Sequence, residues 1–185
     1  SELATRQLLS MAKRMTRASQ DRSVEQMILE VADCARTLVA SDRASLYLVD
    51  TKANEMWTMV RTQGTNSMMI RLPVGQGIAG HVAKTMNLLN IKDAYETTMF
   101  NRSYDQKSGY RTRSILCLPM LSDGGTHILG VLQFINKLGT IPVFDAQDEA
   151  LAIAFSEFAA SAVTNSIEIE SLRLGQDESA LQVMP

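Results

Sequence analysis

The stretch ILCLPMLSDGGTHILGVLQFIN, residues 115–136, decides the fold class. Two apolar, β-rich runs, Ile115–Met120 and Ile128–Asn136, flank Asp123-Gly124-Gly125, and glycine turns of this kind between such runs signal a hairpin. A hairpin forces its strands to run antiparallel. Upstream, Ala44–Asp50 (ASLYLVD) alternates in polarity, Glu55–Arg61 (EMWTMVR) follows a turn containing Asn54, and Met68–Leu72 makes about five strands in all, with Leu88–Ile91 also strand-like. Short helices are expected around Ile78–Thr85 and within Tyr95–Gly109. The order helix, hairpin, strand, short helices, hairpin, long helix predicts an α+β fold, an antiparallel sheet with helices on one face.

The two flanking helices have their own signals. Ser23 and Gln26 form a capping-box pattern, in which side chains satisfy orphan amides of the first turn. Val24, Met27, Ile28, Val31, Ala35, Leu38 and Val39 then recur at steps of three and four, one apolar helix face. Asp145 can cap the second helix, along which Leu151, Phe155, Phe158, Ala162, Asn165, Ile169 and Leu172 alternate by four and three. That seam holds one polar member, Asn165, a residue type that sets register between paired helices. Its first half suits a core helix; beyond Asn165 a partner helix is expected.

Composition narrows function. A chain of 185 residues, 45% hydrophobic and 21% charged, is one ordinary globular domain with or without extended ends, not a disordered or collagen-like chain. Its net charge of −2 gives no footprint for nucleic acid or an anionic membrane. Residues 1–24 nonetheless carry +3 and residues 165–185 carry −3. Two solvated helical ends explain this; so does pairing of the ends within a chain or across a dimer. Two histidines cannot build a multi-histidine metal centre, and two separated cysteines cannot build a zinc site. Cys34 and Cys117 suggest no disulfide framework, which favours a reducing, intracellular and cytoplasmic setting. No run approaches the roughly 20 uninterrupted apolar residues of a membrane span, so no membrane insertion is expected. SELATRQLLSMAKRM does not read as a signal peptide, and a start without Met suggests a piece of something longer.

Gly75-Gln-Gly77-Ile-Ala-Gly80 is a literal G-x-G-x-x-G. In a dinucleotide-binding enzyme such glycines allow a tight turn and close approach of pyrophosphate to a helix N-terminus. The space before Leu88–Ile91 holds barely two helical turns, short of the dozen or so residues a parallel crossover requires. No H-R-D or D-F-G accompanies it, so a kinase loop fits worse. The narrower reading is a helix entry whose amides hold a phosphate or another anion. His81 could be a ligand there or a half-buried structural histidine. Cys117, between two leucines, reads as a buried thiol; tetrapyrrole attachment or catalysis would want an exposed thiolate beside a base. Phe100–Arg113 (FNRSYDQKSGYRTR) reads as an exposed loop or as a lid carrying hydrogen-bonding groups. No catalytic residue and no metal site stands out.

Together these residues resemble a GAF domain of the cyclic-nucleotide-binding type, as found in cyclic nucleotide phosphodiesterases and some microbial adenylyl cyclases. The signature of that subgroup stands here as Asn136, Lys137, Phe144, Asp148 and Glu149, complete and in order. GIAGHVA (77–83), NIKDAY (90–95), YRTRSILCLPM (110–120) and GVLQFINK (130–137) also resemble the family. The likeness covers residues 24–167; residues 1–23 and 168–185 resemble helical connectors that link tandem domains and dimerise. It implies a sheet of about six strands, helices packed on one face, and a ligand pocket under a helical lid on the other. It further implies that Lys137 and Asp148 form a supporting ion pair. Ile78 and Ala79 would serve the phosphate through their backbone, and Ser45 would contact the base. In the lid, Asp105, Ser108 and Thr112 match hydrogen-bonding positions.

Departures from the pattern bear on the ligand. Arg61 stands where several members place an aromatic under the base, and a guanidinium can stack on a purine. Thr62 replaces an Asp of some guanine-selective members, Gln133 stands where an acid can occur, and Asn101 replaces an aromatic of the lid. A carboxylate suits the N1–H and amino groups of guanine; a hydroxyl serves either base. The expected ligand is therefore cAMP in preference to cGMP, with no other cofactor. The expected role is a regulatory module, not an enzyme, that controls an attached effector domain of a phosphodiesterase or cyclase and forms a homodimer through its terminal helices. The alternatives are a ligand-free dimerisation module and a dinucleotide-binding enzyme fragment.

Overall fold

The computed structural model describes residues 6, 9–11, 13–15, 23–62, 64, 66–122 and 124–181. Among the described residues six strands form one sheet: β1 (Ser41–Asp50), β2 (Glu55–Arg61), β3 (Ser67–Pro73), β4 (Leu89–Ile91), β5 (Ile115–Leu121) and β6 (Ile128–Lys137). The helices α1 (Val24–Val39), α2 (Gly77–Thr85), α3 (Ser103–Ser108) and α4 (Ala146–Leu181) accompany them, and residues 6, 9–11 and 13–15 are also helical. The strand order is β3-β2-β1-β6-β5-β4, and every pairing is antiparallel. The α+β architecture is the one the hairpin at residues 115–136 predicts, although Asp123 of its turn lies outside the described residues.

Period-two alternation divides the core in two. Leu46, Leu48, Leu116, Leu118, Leu132 and Phe134 are fully or almost fully buried against α1 and α4, with Met27, Ile28, Val31, Phe155, Ala159 and Val163. Met56, Ile115, Cys117 and Val131 point to the other face and pack beneath Ile78, Ala79, Val82 and Ala83 of α2. Each large apolar side chain withdrawn from water contributes about 1.5–3 kcal/mol, so both faces hold the sheet. Met11 and Met15 add to the helical side. The rest of the basic segment expected at residues 1–24 lies mostly outside the described residues.

Local signals act as read. The Ser23 hydroxyl accepts from the Gln26 amide at 3.3 Å and starts α1. Asp145 Oδ1 accepts from the amides of Gln147 and Asp148, both at 2.9 Å, and starts α4. The expected seam on α4 divides. Phe155 and Ala162 are buried in the chain's own core, whereas Phe158, Asn165 and Leu172 are exposed. By length and composition α4 could cross a bilayer, with a mean hydropathy of 1.3 in its most apolar window. Burial of Ala152, Phe155, Ala159 and Val163 within the chain accounts for that apolar character.

The dinucleotide alternative fails on topology. β3 and β4, which flank α2, lie at opposite edges of the sheet, and no parallel pair exists among the described strands. Gly75-Gln-Gly77-Ile-Ala-Gly80 instead folds a loop onto the start of α2. Gly75 adopts φ 91°, and its amide donates to the Gly80 carbonyl at 2.9 Å. A Cβ on Gly80 would lie 3.0 Å from the Gly75 nitrogen.

The ladder between β1 and β2 is short. Only Leu48–Trp57, Val49–Met56 and Asp50–Glu55 pair, next to the turn. Beyond them the Thr58 hydroxyl donates to the Leu46 carbonyl at 2.6 Å, a side chain serving a backbone acceptor where ladder pairing has stopped. β1 continues along β6 to Ser41, and β2 along β3 to Arg61, so the sheet opens between them.

Candidate functional site

A cavity of about 880 Å³ lies on the α2 face of the sheet and extends to the opening between β1 and β2. Its floor is Ser45 and Tyr47 of β1, Gln133 and Ile135 of β6, and Ile115 of β5. Gln76, Gly77, Ile78 and Ala79, at the start of α2, form one wall. No side chain caps this helix and no acidic residue occupies its first turn. First-turn amides have no partner within the helix, so this wall offers donors and the positive end of the helix dipole to an anion. Met56, Val60, Met68, Ile70 and Leu72 supply an apolar wall that suits a flat ring.

The lid comprises Met99, Phe100, Asn101, Tyr104, Asp105 and Thr112. Asp105, on α3, is buried, and it organises this segment. Its carboxylate accepts from the Thr112 amide at 2.7 Å, the Thr112 hydroxyl at 2.9 Å and the Tyr95 hydroxyl at 3.0 Å. Asn136, at φ 58°, holds the returning chain: its Oδ1 accepts from the Arg113 amide at 2.7 Å and its Nδ2 donates to the Arg111 carbonyl at 2.8 Å. Asn tolerates that left-handed backbone better than most residues.

Nine of the ten residues expected to meet a ligand line this one cavity: Ser45, Arg61, Thr62, Ile78, Ala79, Asn101, Asp105, Thr112 and Gln133. Ser108 lies apart from it, where its hydroxyl donates to the Tyr104 carbonyl at 2.8 Å. Arg61 shares the helix-facing side of β2 with Trp57 and Met59 and forms an ion pair with Asp33 of α1 at 2.9 Å.

Sequence reasoning passed over Arg43, Tyr104 and Tyr110. Arg43 shares the face of Ser45 and Tyr47; its guanidinium lies 3.6 Å from the Tyr110 ring centroid and donates to the Tyr104 hydroxyl at 3.3 Å. Tyr110 donates to Asp42, and burial, with the hydrogen bond to that carboxylate, pushes its phenol up to about 12. The strand thus latches both ends of α3. The period-two pattern of β1, run back two residues from Ser45, is the signal that finds Arg43.

The signature residues form a frame outside the cavity. Lys137 Nζ lies 2.7 Å from Asp148 Oδ1 and donates to the Val39 carbonyl at 2.7 Å, tying the end of α1 to the start of α4. Phe144 packs against Phe134 with ring centroids 6.4 Å apart. Asn90 of β4 donates to Glu149 at 2.6 Å and to the Phe144 carbonyl at 3.0 Å. Burial raises the thiols of Cys34 and Cys117, neither placed as a thiolate would need to be. His81, within α2, is absent from the lining of the cavity.

The family model for the GAF domain matches residues 23–163. The chain is 35% identical over 175 residues to a probable 3′,5′-cyclic phosphodiesterase, pde-5, of Caenorhabditis elegans; the match covers 88% of this chain and 24% of that protein. It is 33% identical over 152 residues to the dual 3′,5′-cyclic-AMP and -GMP phosphodiesterase 11A of Takifugu rubripes, covering 77% of this chain and 17% of that one. The chain therefore spans about a quarter or less of these relatives. Among solved structures, the GAF domain of an Acinetobacter phosphoenolpyruvate-protein phosphotransferase superposes with a TM-score of 0.65 at 15% identity, covering 89% of this chain and 97% of that one. A free methionine-R-sulfoxide reductase of Neisseria meningitidis superposes at 0.60 and 18% identity, covering 88% and 91%, so the same fold serves different chemistries. With a family model spanning most of its length and a sheet of the matching architecture, this chain belongs to the GAF domain family.

Proposed function

We propose that this chain is a regulatory module that binds a cyclic nucleotide, cAMP in preference to cGMP, and thereby biases an attached catalytic domain of the phosphodiesterase or cyclase kind. The observation that carries the reading is convergence: residues from β1, β2, α2, the lid and β6, far apart in sequence, line one cavity. The uncapped start of α2 suits the cyclic phosphate, the apolar wall suits the base, and the hydroxyls and amides suit the ribose and base edges. Similarity to two cyclic nucleotide phosphodiesterases supports the ligand class.

The preference for adenine rests on what the cavity lacks at Thr62 and Gln133. Guanine presents adjacent N1–H and amino donors that favour a carboxylate. The three lining carboxylates all have partners: Asp42 has Tyr110, Asp105 has Thr112 and Tyr95, and Asp33 has Arg61, which supplies a donor beside it and so favours neither base. Titration calorimetry with both nucleotides tests the reading. Tighter binding of cAMP is the expected result; tighter binding of cGMP overturns the preference, and no heat with either overturns the ligand class.

A second reading has its own observation. Phe158, Asn165 and Leu172 lie seven residues apart on α4 and are exposed, a stripe suited to a second copy of the helix. Dimerisation through α4 accompanies nucleotide binding in the proposed module, and would be its whole role if the cavity binds nothing.

A further inference from the structure

We infer that the cavity continues through the opening between β1 and β2 to form a subsite on α1, in which Asp33 and Arg61 read the C6 edge of a purine. Three observations converge there. The ladder between these strands stops after three pairs, and the Thr58 hydroxyl takes over the Leu46 carbonyl. The cavity is lined from both sides of the sheet: Ser45 and Tyr47 belong to the α2 face, whereas Met59 and Arg61 belong to the helical face. Leu29, Ala32, Asp33 and Arg36 of α1 line it too, which places a helix of the opposite layer within reach of a ligand.

The chemistry of this end is distinct from the rest of the cavity. Leu29 and Ala32 offer a small apolar surface; Asp33 offers an acceptor and Arg61 a donor, 2.9 Å apart. A purine nucleotide anchored by its phosphate at α2 extends its edge farthest from the ribose, N1 and C6, toward this end. That edge always presents a donor beside an acceptor: the amino group and N1 in adenine, N1–H and the carbonyl in guanine. An ion pair is the matching acceptor and donor. The pair is half exposed, with side chains 48% and 61% accessible, so it adds little to the stability of the unliganded chain. Its groups can therefore exchange one another for the base at small cost, and covering by the base strengthens the new bonds.

This inference rests on the cyclic-nucleotide reading above. Nothing in the family likeness assigns Asp33 a role, and Arg61 was expected to stack under the base rather than meet its edge.

The test pairs a protein change with a ligand change. Asp33→Asn and Arg61→Gln are compared with the wild-type chain by calorimetry, using whichever cyclic nucleotide the wild type binds and the analogue with hydrogen at C6. Each substitution is expected to weaken the natural nucleotide roughly tenfold, the size of one charge-assisted hydrogen bond. The analogue should bind Asp33→Asn and the wild type within about twofold, because it lacks the donor that Asp33 reads, the amino group of adenine or the N1–H of guanine. Arg61→Gln is expected to weaken the analogue as well where the base is adenine, since the analogue keeps N1. Equal losses for nucleotide and analogue in Asp33→Asn, or unchanged affinity of both variants for both ligands, overturn the subsite while leaving the ligand class intact. Failure of the wild type to bind any cyclic nucleotide overturns both readings. A thermal melt of each variant separates lost folding from lost recognition, and both side chains are exposed enough for the fold to survive.

Discussion

Lys137 ties the two long helices to the sheet from outside the cavity. Its ammonium meets Asp148 at the start of α4 and the Val39 carbonyl at the end of α1, where the helix dipole also favours a cation. The two side chains are only 18% and 11% accessible. Removing one partner leaves the other charge buried without compensation, whereas removing both restores a neutral interior. Lys137→Met is therefore expected to destabilise the chain by roughly 2–4 kcal/mol in denaturant unfolding, and Lys137→Met with Asp148→Leu by clearly less than the sum of the singles. Strict additivity would show that the pair is not coupled. The identity of this pair was legible from the signature Asn136, Lys137, Phe144, Asp148 and Glu149. The pairing of Arg61 with Asp33 was not, because it joins residues 28 apart in the chain and depends on where a ladder ends. Spacing along β2 places Arg61 opposite Val60 and Thr62 in alternation, yet it cannot say which face meets a ligand in a sheet that opens.

Among the elements, α4 shows what periodicity can and cannot settle. The seam from Leu151 to Leu172 reads as one stripe, but two faces share it. Phe155 and Ala162 go to the core, with Ala152, Ala159, Val163 and the buried Ser166 beside them, whereas Phe158, Asn165 and Leu172 face outward. Periodicity alone does not separate these faces, because residues three apart on a helix of about 3.6 residues per turn sit about 60° from each other, so one half of the seam can turn inward while the other faces out. A helix that continues to Leu181, with Leu172 68% and Leu174 63% accessible, leaves apolar surface beyond the globular core. If the outward stripe is a dimer seam, Phe158→Glu with Leu172→Glu converts a dimer into a monomer in sedimentation velocity without changing the circular dichroism of the folded core. A wild-type chain that sediments as a monomer at tens of micromolar rejects the seam outright. The strands were easier to read. β1, β2, β5 and β6 came from alternation and turn residues; β4, an edge strand three residues long that pairs with β5 alone, gave only a faint signal because so short a run carries little periodicity.

At the scale of the whole molecule, α1 connects the cavity to the segment that precedes it. Asp33 faces Arg61 in the opening of the sheet, and Glu30, one turn earlier on the same helix, meets Arg14. A ligand that draws on Asp33 therefore acts on the helix that holds the N-terminal segment, and its influence is bounded by its differential affinity for the two positions of α1. Binding to the folded chain alone must also stabilise it. At a free nucleotide concentration 100-fold above Kd the gain is about 2.7 kcal/mol. For a chain of this size each kcal/mol moves Tm by roughly 2–4 °C, so saturating nucleotide is expected to raise Tm by roughly 5–10 °C. A module that only dimerises behaves differently: its Tm rises with chain concentration and ignores nucleotide. Melting the chain across both concentrations separates the two roles. A nucleotide-dependent rise that persists in Phe158→Glu with Leu172→Glu places the ligand's stabilisation within one chain, as a cavity built from β1, α2 and the lid requires. A rise that vanishes with the dimer would place it at the interface and reject the cavity as the binding site.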